Sequence, residues 1–454
     1  MSYSSRFLSQ VLRVPRARAA TRVLGSLVVA MLLGRGAAGQ SEAPRLRLGE
    51  VLRAAEAANP HLAAARAQAR AAEARVGPAS RPPDPELQFG LMNRSLPGFR
   101  ARPPLGMTQI QLMQMVPLAG KIGLSRRMAD ARAAAERARA AESGWEVRTR
   151  AAMAFYELYR IDRSLEVAAA TLRLLQNIAK TAETMYAVGG GTQADVLRAH
   201  VELARMREDT LRMEAMRASM AARLNTLLDR PADALVPSPV LPILPTTLPA
   251  RDSLERRALA DRPMLRAGAD EIEAAKAAAR LARREIWPDL QVGVQYGQAP
   301  MEEGTDRMVS IMIGATLPIF AGRRQGQMRQ EMAAMEDMTR ADLVAMRADT
   351  RGRLLELYAD LGRARRLESL YRATILPQAQ AATASSLSAY RVGSVDFMTL
   401  LDNQMSVNRY RQELFQLEAE QGIALAELEM LMGGTLVDPE SVAGQEVAAR
   451  GGVR

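Results

Sequence analysis

The chain has 454 residues, no cysteine and a formal net charge of +11, and its hydrophobic content of 48% includes only 4% aromatics. Without cysteine there can be no disulfide, thiolate metal site or thiol nucleophile. An apolar fraction carried by Ala, Leu and Met suits helices that pack along their length better than a compact α/β enzyme. Arg residues interleaved with Asp and Glu read as a salt-bridged helix surface and not as a nucleic-acid groove.

At the start, Arg6, Arg13, Arg16, Arg18 and Arg22 precede an apolar run from Val23 to Leu33, and small residues follow from Gly34 to Gly39. Basic, apolar and small regions in that order predict a secretory signal over residues 1–39, cleaved near Ala38 to Gln40. The apolar run is too short to span a bilayer, and no other stretch is long enough.

Next comes a predicted helix from about Leu48 to Ala79, with Pro60 interrupting or restarting it. Two alternating strands follow. Leu87, Phe89 and Leu91 oppose Gln88, Gly90 and Met92; Ile110, Leu112 and Val116 oppose Gln109 and Gln111, with Gln114 misplaced on the apolar face. A helix then runs from about Gly120 to Tyr186, spanning about 100 Å at 1.5 Å per residue. Val188-Gly189-Gly190-Gly191 reverses the chain, because Gly reaches positive φ without strain. The return helix, about Ala194 to Leu227, carries a heptad seam of Leu197, Val201, Ala204, Leu211, Ala215, Ala218 and Ala222. Residues 231–251 are rich in Pro and Leu and read as an extended linker.

The order then repeats. Pro85-Glu86-Leu87-Gln88-Phe89-Gly90 returns as Pro288-Asp289-Leu290-Gln291-Val292-Gly293, and Val116-Pro117-Leu118-Ala119-Gly120-Lys121 as Leu317-Pro318-Ile319-Phe320-Ala321-Gly322-Arg323. Tyr186-Ala187-Val188-Gly189 returns as Tyr390-Arg391-Val392-Gly393, and Asn59-Pro60-His61-Leu62 as Arg262-Pro263-Met264-Leu265. Four matches in one order, offset by about 200 residues, mark a duplicated unit. The second copy predicts a helix from Ser253 to Glu285, strands around 290–296 and 309–317, a long helix from Arg323 to Tyr390, and a return helix from Phe397 to Leu431. Repeats at 46–230 and 252–434 and a flexible tail at 435–454 complete the division. One apolar and one polar strand face suit a barrel with lipid outside and water inside, and equally a sheet with one solvated face. Four strands cannot close a pore without further copies.

Enzymatic signals are missing from the sequence. His61 and His200 stand outside any zinc spacing, and the Gly189–Thr192 run follows a helix without a Gly-Lys-Ser/Thr. The 26 Met residues are scattered or core-spaced, as at Met213, Met216 and Met220, and read as helix packing in preference to soft-metal ligation. No cofactor is expected.

The duplicated Pro-x-Leu-Gln-x-Gly strand starts, the Pro-Leu-Ala-Gly-Lys and Pro-Ile-Phe-Ala-Gly-Arg turns and the Tyr-x-Val-Gly tips resemble the TolC-like outer-membrane efflux protein family, and the turn after Val116-Pro117 looks like its heavy-metal efflux branch. The resemblance covers about Leu46 to Gly434. It implies a mostly α protein with a small β part: a homotrimer whose twelve-stranded barrel sits in outer-membrane lipid, continued by an α-helical periplasmic tunnel. It further implies a passive exit duct, not an enzyme, serving an inner-membrane pump through a periplasmic adaptor (membrane fusion) protein. A type I protein-secretion duct shares this fold; a periplasmic coiled-coil scaffold without a pore is the other alternative. Carried over by position, the adaptor-contact tips are Val188, Gly189, Gly190 and Thr192, with Val392, Gly393 and Ser394. The periplasmic gate candidates are Asp195, Tyr390, Asp396 and Asp402. Three copies of an Asp around a narrow axis would attract cations and resist anions. Asp195 and Asp396 also suit the ordinary role of acids in a helix's first turn.

Overall fold

The computed structural model describes residues 45–101, 106–301 and 304–442. The expected signal segment and the tail beyond 442 lie outside the described residues.

The first predicted helix is broken at Asn59 into α1 (Leu48–Ala58) and α2 (Pro60–Ala74), followed by the short α3 (Val76–Ala79). Asn59 makes the break cheap. Its Oδ1 accepts from the N–H groups of His61 and Leu62, capping α2, and its Nδ2 donates to the Leu227 carbonyl. Then come β1 (Glu86–Met92), a tiny hairpin of β2 (Arg94–Ser95) and β3 (Arg100–Ala101) that the alternation does not foretell, and β4 (Met107–Val116). α4 (Lys121–Ala187) runs 67 residues without interruption, and α5 (Gln193–Leu227) returns beside it.

Residues 231–250 contain no helix. They are held by the Leu46–Pro239 bridge and by Arg365, which donates to the carbonyls of Pro245 and Thr246. The second unit follows with α6 (Arg251–Asp261), α7 (Pro263–Arg284), β5 (Leu290–Met301), β6 (Gly304–Ala315), α8 (Arg324–Leu370), α9 (Leu376–Arg391) and α10 (Phe397–Met432). β5 extends beyond the expected strand, and β6 starts earlier than expected and stops before Leu317. α8 and α9 are one rod with a single π turn, Tyr371–Ile375, between them. Pro377 explains it: proline has no N–H and its ring displaces the carbonyl four residues back, so the ladder shifts to a bond from Leu376 N–H to the Tyr371 carbonyl.

The four long strands form one antiparallel sheet in the order β1-β4-β5-β6, with β1 and β6 as its edges. Register aligns whole rows across it. Leu87, Leu112, Val294 and Ile311 form one, and Phe89, Ile110, Tyr296 and Val309 the next. These apolar rows stay open: Leu87 is 71% exposed and Ile311 74%. Gln114, the misfit on this face, lies in line with Val292 and Ile313 at the helix end of the sheet, where its Nε2 donates 2.7 Å to the Pro83 carbonyl. Its polarity is spent on the backbone.

Two apolar cores hold the helices. One joins α1, the middle of α4, α6, α8 and the end of α10, around Phe155, Tyr156, Leu361 and Leu425. The other lies toward the helical tips, around Leu175, Ile178, Leu203, Met206, Tyr390 and Phe397. The expected seam on α5 faces away from α4. Leu197, Val201 and Leu211 are exposed, and Ala199, Leu203, Met206 and Leu224 are the buried stripe. Residues 435–442, expected to open the flexible tail, are instead docked. Glu429 accepts from the N–H groups of Leu436 and Val437, Gly49 N–H donates to the Pro439 carbonyl, and Val437 is buried. The apolar Leu436 and Val437 after the Gly433 helix cap supply the reason.

Candidate functional site: the two helical tips

Both tips are built from one backbone device. Gly189 (φ +78°) and Gly393 (φ +73°) adopt the left-handed conformation that ends a helix. Their N–H groups donate to the carbonyls of Tyr186 and Tyr390, and the next residues, Gly190 and Ser394, donate to Met185 and Ala389. Val188 and Val392 stand at the apex, 72% and 77% exposed. The side-chain chemistry then diverges. At the first tip, Thr192 and Asp195 form a capping box. Thr192 Oγ1 accepts from Asp195 N–H at 3.2 Å, and Asp195 Oδ2 accepts from Thr192 N–H at 3.0 Å. At the second, the Thr399 hydroxyl donates to Asp396, which holds that carboxyl below the usual carboxylate range.

Tyr390 is buried beneath the second tip. Its ring meets that of Phe397 at 5.8 Å between centroids, and its hydroxyl has no hydrogen-bond partner in the single chain. Burial, reinforced by the nearby Asp195 carboxylate, raises the Tyr390 pKa. The fold therefore brings Asp195 of the first hairpin and Tyr390 of the second together. Arg198 adds a second link between hairpins, donating to the Met398 sulfur at 2.8 Å.

Asp402 sits apart from that pair. It is exposed on α10 and shares a groove of about 600 Å³ with Asp209 and Arg212 of α5 and Arg409 and Gln412 of α10. Sequence reasoning missed these partners. The available signal was spacing: Arg409 follows Asp402 by two helical turns, and Arg212 follows Asp209 by three residues, so each pair shares a helix face.

At the far end, the Pro-Leu-Ala-Gly-Lys turn has a structural job. Ala119 and Gly120 both take positive φ, and buried Lys121 donates to the Trp287 carbonyl at 2.9 Å and to Asp289 Oδ1 at 2.8 Å. It ties the start of α4 to the start of β5, joining the two repeats where sheet becomes helix. Among the described residues no helix is long and apolar enough to cross a membrane.

The chain thus contributes two β-hairpins to one sheet and two very long helical hairpins, in a duplicated and mostly helical architecture. The sequence profile of the outer membrane efflux protein family matches residues 51–230 and 254–434. The chain belongs to that family, and it is an outer-membrane protein that extends into the periplasm. It is 23% identical over 270 residues to the cobalt-zinc-cadmium resistance protein CzcC of Cupriavidus metallidurans, a match spanning 59% of this chain and 62% of that relative's length. Among solved structures, the outer-membrane channel OprN superposes with a TM-score of 0.73 at 21% identity, covering 85% of this chain and 90% of that one. CusC gives 0.72 at 17%, covering 88% and 95%. VceC of Vibrio cholerae gives 0.72 at 18%, covering 86% and 96%.

Proposed function

We propose that three copies of this chain assemble into the outer-membrane exit duct of a tripartite efflux system. The open sheet carries the reading. Its four strands alternate in direction, so β6 of one copy meets β1 of the next antiparallel, and three copies close twelve strands with no edge left. The apolar rows through Leu112 and Ile110 then face lipid, and the rows through Gln88, Gln111, Gln295 and Ser310 face water. The exposed α5 seam of Leu197, Val201 and Leu211 supplies matching apolar surface for a neighbouring copy along the tunnel.

The tips are the periplasmic end. Val188, Gly189, Gly190 and Thr192, with Val392, Gly393 and Ser394, contact a periplasmic adaptor that couples the duct to an inner-membrane pump. Asp195 with Tyr390, Asp396 and Asp402 narrow the opening. In the groove Asp402 and Asp209 are matched by Arg212 and Arg409, so three copies around the axis set acids and bases side by side at the opening. The relative's description as a cobalt-zinc-cadmium resistance protein supports metal ions as cargo.

Reconstitution in planar bilayers tests the duct and its gate together. The wild type should insert conducting units from a heat-sensitive trimer, and Asp402→Ala should raise single-channel conductance. A freely soluble monomer would remove the duct, whereas unchanged conductance and ion selectivity in Asp402→Ala would remove only the gate role.

A further inference from the structure

The sheet's water-facing side carries a group of side chains that solvation alone does not call for. Along β1, β4, β5 and β6 the aliphatic and aromatic residues point to the lipid side, yet Met92, Met107 and Met308 lie on the other. Met92 and Met107 are directly opposed across β1 and β4, where side-chain roots sit about 4.5–5.5 Å apart. Met308 is directly opposed to Gly297 across β5 and β6. Gly297 is the key to the cluster. A Cβ there would come within 2.9 Å of the Met107 sulfur, so the missing side chain is what lets that thioether lean from β4 across β5 toward Met308. Met107 thus lies over one glycine of β5, with Met92 opposed to Met107 on one flank and Met308 opposed to that glycine on the other. Four residues along β5 the arrangement recurs with two sulfurs: the Cβ position of Gly293 lies 3.2 Å from Met113 Cγ and 3.5 Å from Met312 Cε.

If these positions only filled volume, nothing would favour methionine over the Gln and Ser that share this face at Gln88, Gln111, Gln295 and Ser310. A thioether is a soft, neutral donor that binds Cu(I) and Ag(I) and ignores hard cations. Asp306, on the same face as Met308 and two residues before it, adds a negative charge beside the cluster. We propose that Met92, Met107 and Met308 form a thioether site for soft monovalent metal cations on the lumen wall, with Met113 and Met312 as a second station about 13 Å along the strand. The site rests on the duct reading above, because that reading makes this face the lumen. Neutral ligands suit a passage: they hold a cation without the strong charge that would trap it.

Silver ion is the probe, since it is soft and does not change oxidation state on air exposure. Purified detergent-solubilised trimers are titrated calorimetrically with Ag⁺, comparing wild type with Met92→Leu/Met107→Leu/Met308→Leu. Leucine keeps volume and apolarity and removes only sulfur. The expected result is at least one saturable Ag⁺ equivalent per protomer that weakens tenfold or more in the triple variant, while single-channel conductance in potassium chloride is unchanged. Zn²⁺ titrations should not distinguish the two proteins. Conducting wild-type trimers that bind Ag⁺ no better than the triple variant would overturn the site and leave the duct standing. Wild-type protein that forms no conducting trimer would overturn both.

Discussion

Asn59 and Arg262 hold the same place in the two repeats, each just before a proline that opens a helix, and they solve the same problem differently. Asn59 carries its own acceptor and caps α2 locally. Arg262 has no acceptor to offer, so the cap of α7 is imported: Glu142 of α4 accepts from Met264 N–H at 3.1 Å, and the same carboxylate, almost wholly buried, is paired with the Arg262 guanidinium at 3.0 Å. Arg262 also donates to Thr350 of α8 at 2.7 Å. The tips show the same division. The first closes on itself through Thr192 and Asp195; the second rests on Tyr390, buried in a core shared by both hairpins. A duplicated backbone was thus stabilised by local contacts in one copy and by long-range ones in the other.

This contrast can be broken most forcefully at Glu142. Glu142→Ala leaves the partly buried Arg262 guanidinium without its carboxylate and a helix start uncapped, and should cost about 3 kcal/mol, read as a large drop in thermal unfolding temperature in detergent. Should Glu142→Ala unfold no earlier than Asn59→Ala, the long-range account of the second repeat is wrong. At the tips, Gly189→Ala and Gly393→Ala each force an L-residue into the left-handed region and should cost about 1–2 kcal/mol. Gly190→Ala, with negative φ and only the flexible Met185 side chain close by, should cost far less. Asn59→Ala itself should cost about 1 kcal/mol, the ordinary worth of a lost cap.

The smallest effect concerns pH. Glu418 of α10 accepts from Tyr159 at 2.7 Å and from Arg372 at 2.6 Å, with Glu368 also facing it. Burial is the largest influence and raises its pKa above the ordinary 4.5, against the opposing pull of Tyr159 and Arg372. The folded state therefore binds its proton more tightly than the unfolded state does. That contribution to stability is complete below the unfolded value and is lost as pH rises through the folded one. Melting temperatures followed from about pH 4 to about pH 7 should fall less in Glu418→Gln than in the wild type. Parallel profiles would remove the effect.

Most of the fold was legible because it rests on repetition and period. The alternating residues at 87–92 and 290–296 have no second reading as helix, and a match offset by about 200 residues requires two similar units. What escaped was set by distant partners. The α5 seam shows that a heptad names a face without naming its occupant, since another stripe on the same helix packs on α4. The docking of residues 435–442 depends on Glu429, and the thioether cluster depends on register between strands about 200 residues apart in the chain. At the candidate gate, Asp195, Tyr390, Asp396 and Asp402 could be picked out by position. The approach of Asp195 to Tyr390 across the two hairpins needed coordinates, whereas the shared helix face of Asp402 and Arg409 was open to a reading of spacing.

The π turn at Tyr371–Ile375 has a geometric consequence for the second rod. One additional residue within a helical turn advances every later side chain by roughly 100° in azimuth. The stripe of Leu354, Leu357 and Leu361 on α8 therefore does not continue straight into Ser386 and Tyr390 on α9. A single rod can then turn one side to the first core above the slip and a different side to the tip core below it. α4, which has no such slip, must present a continuous winding surface along its whole length.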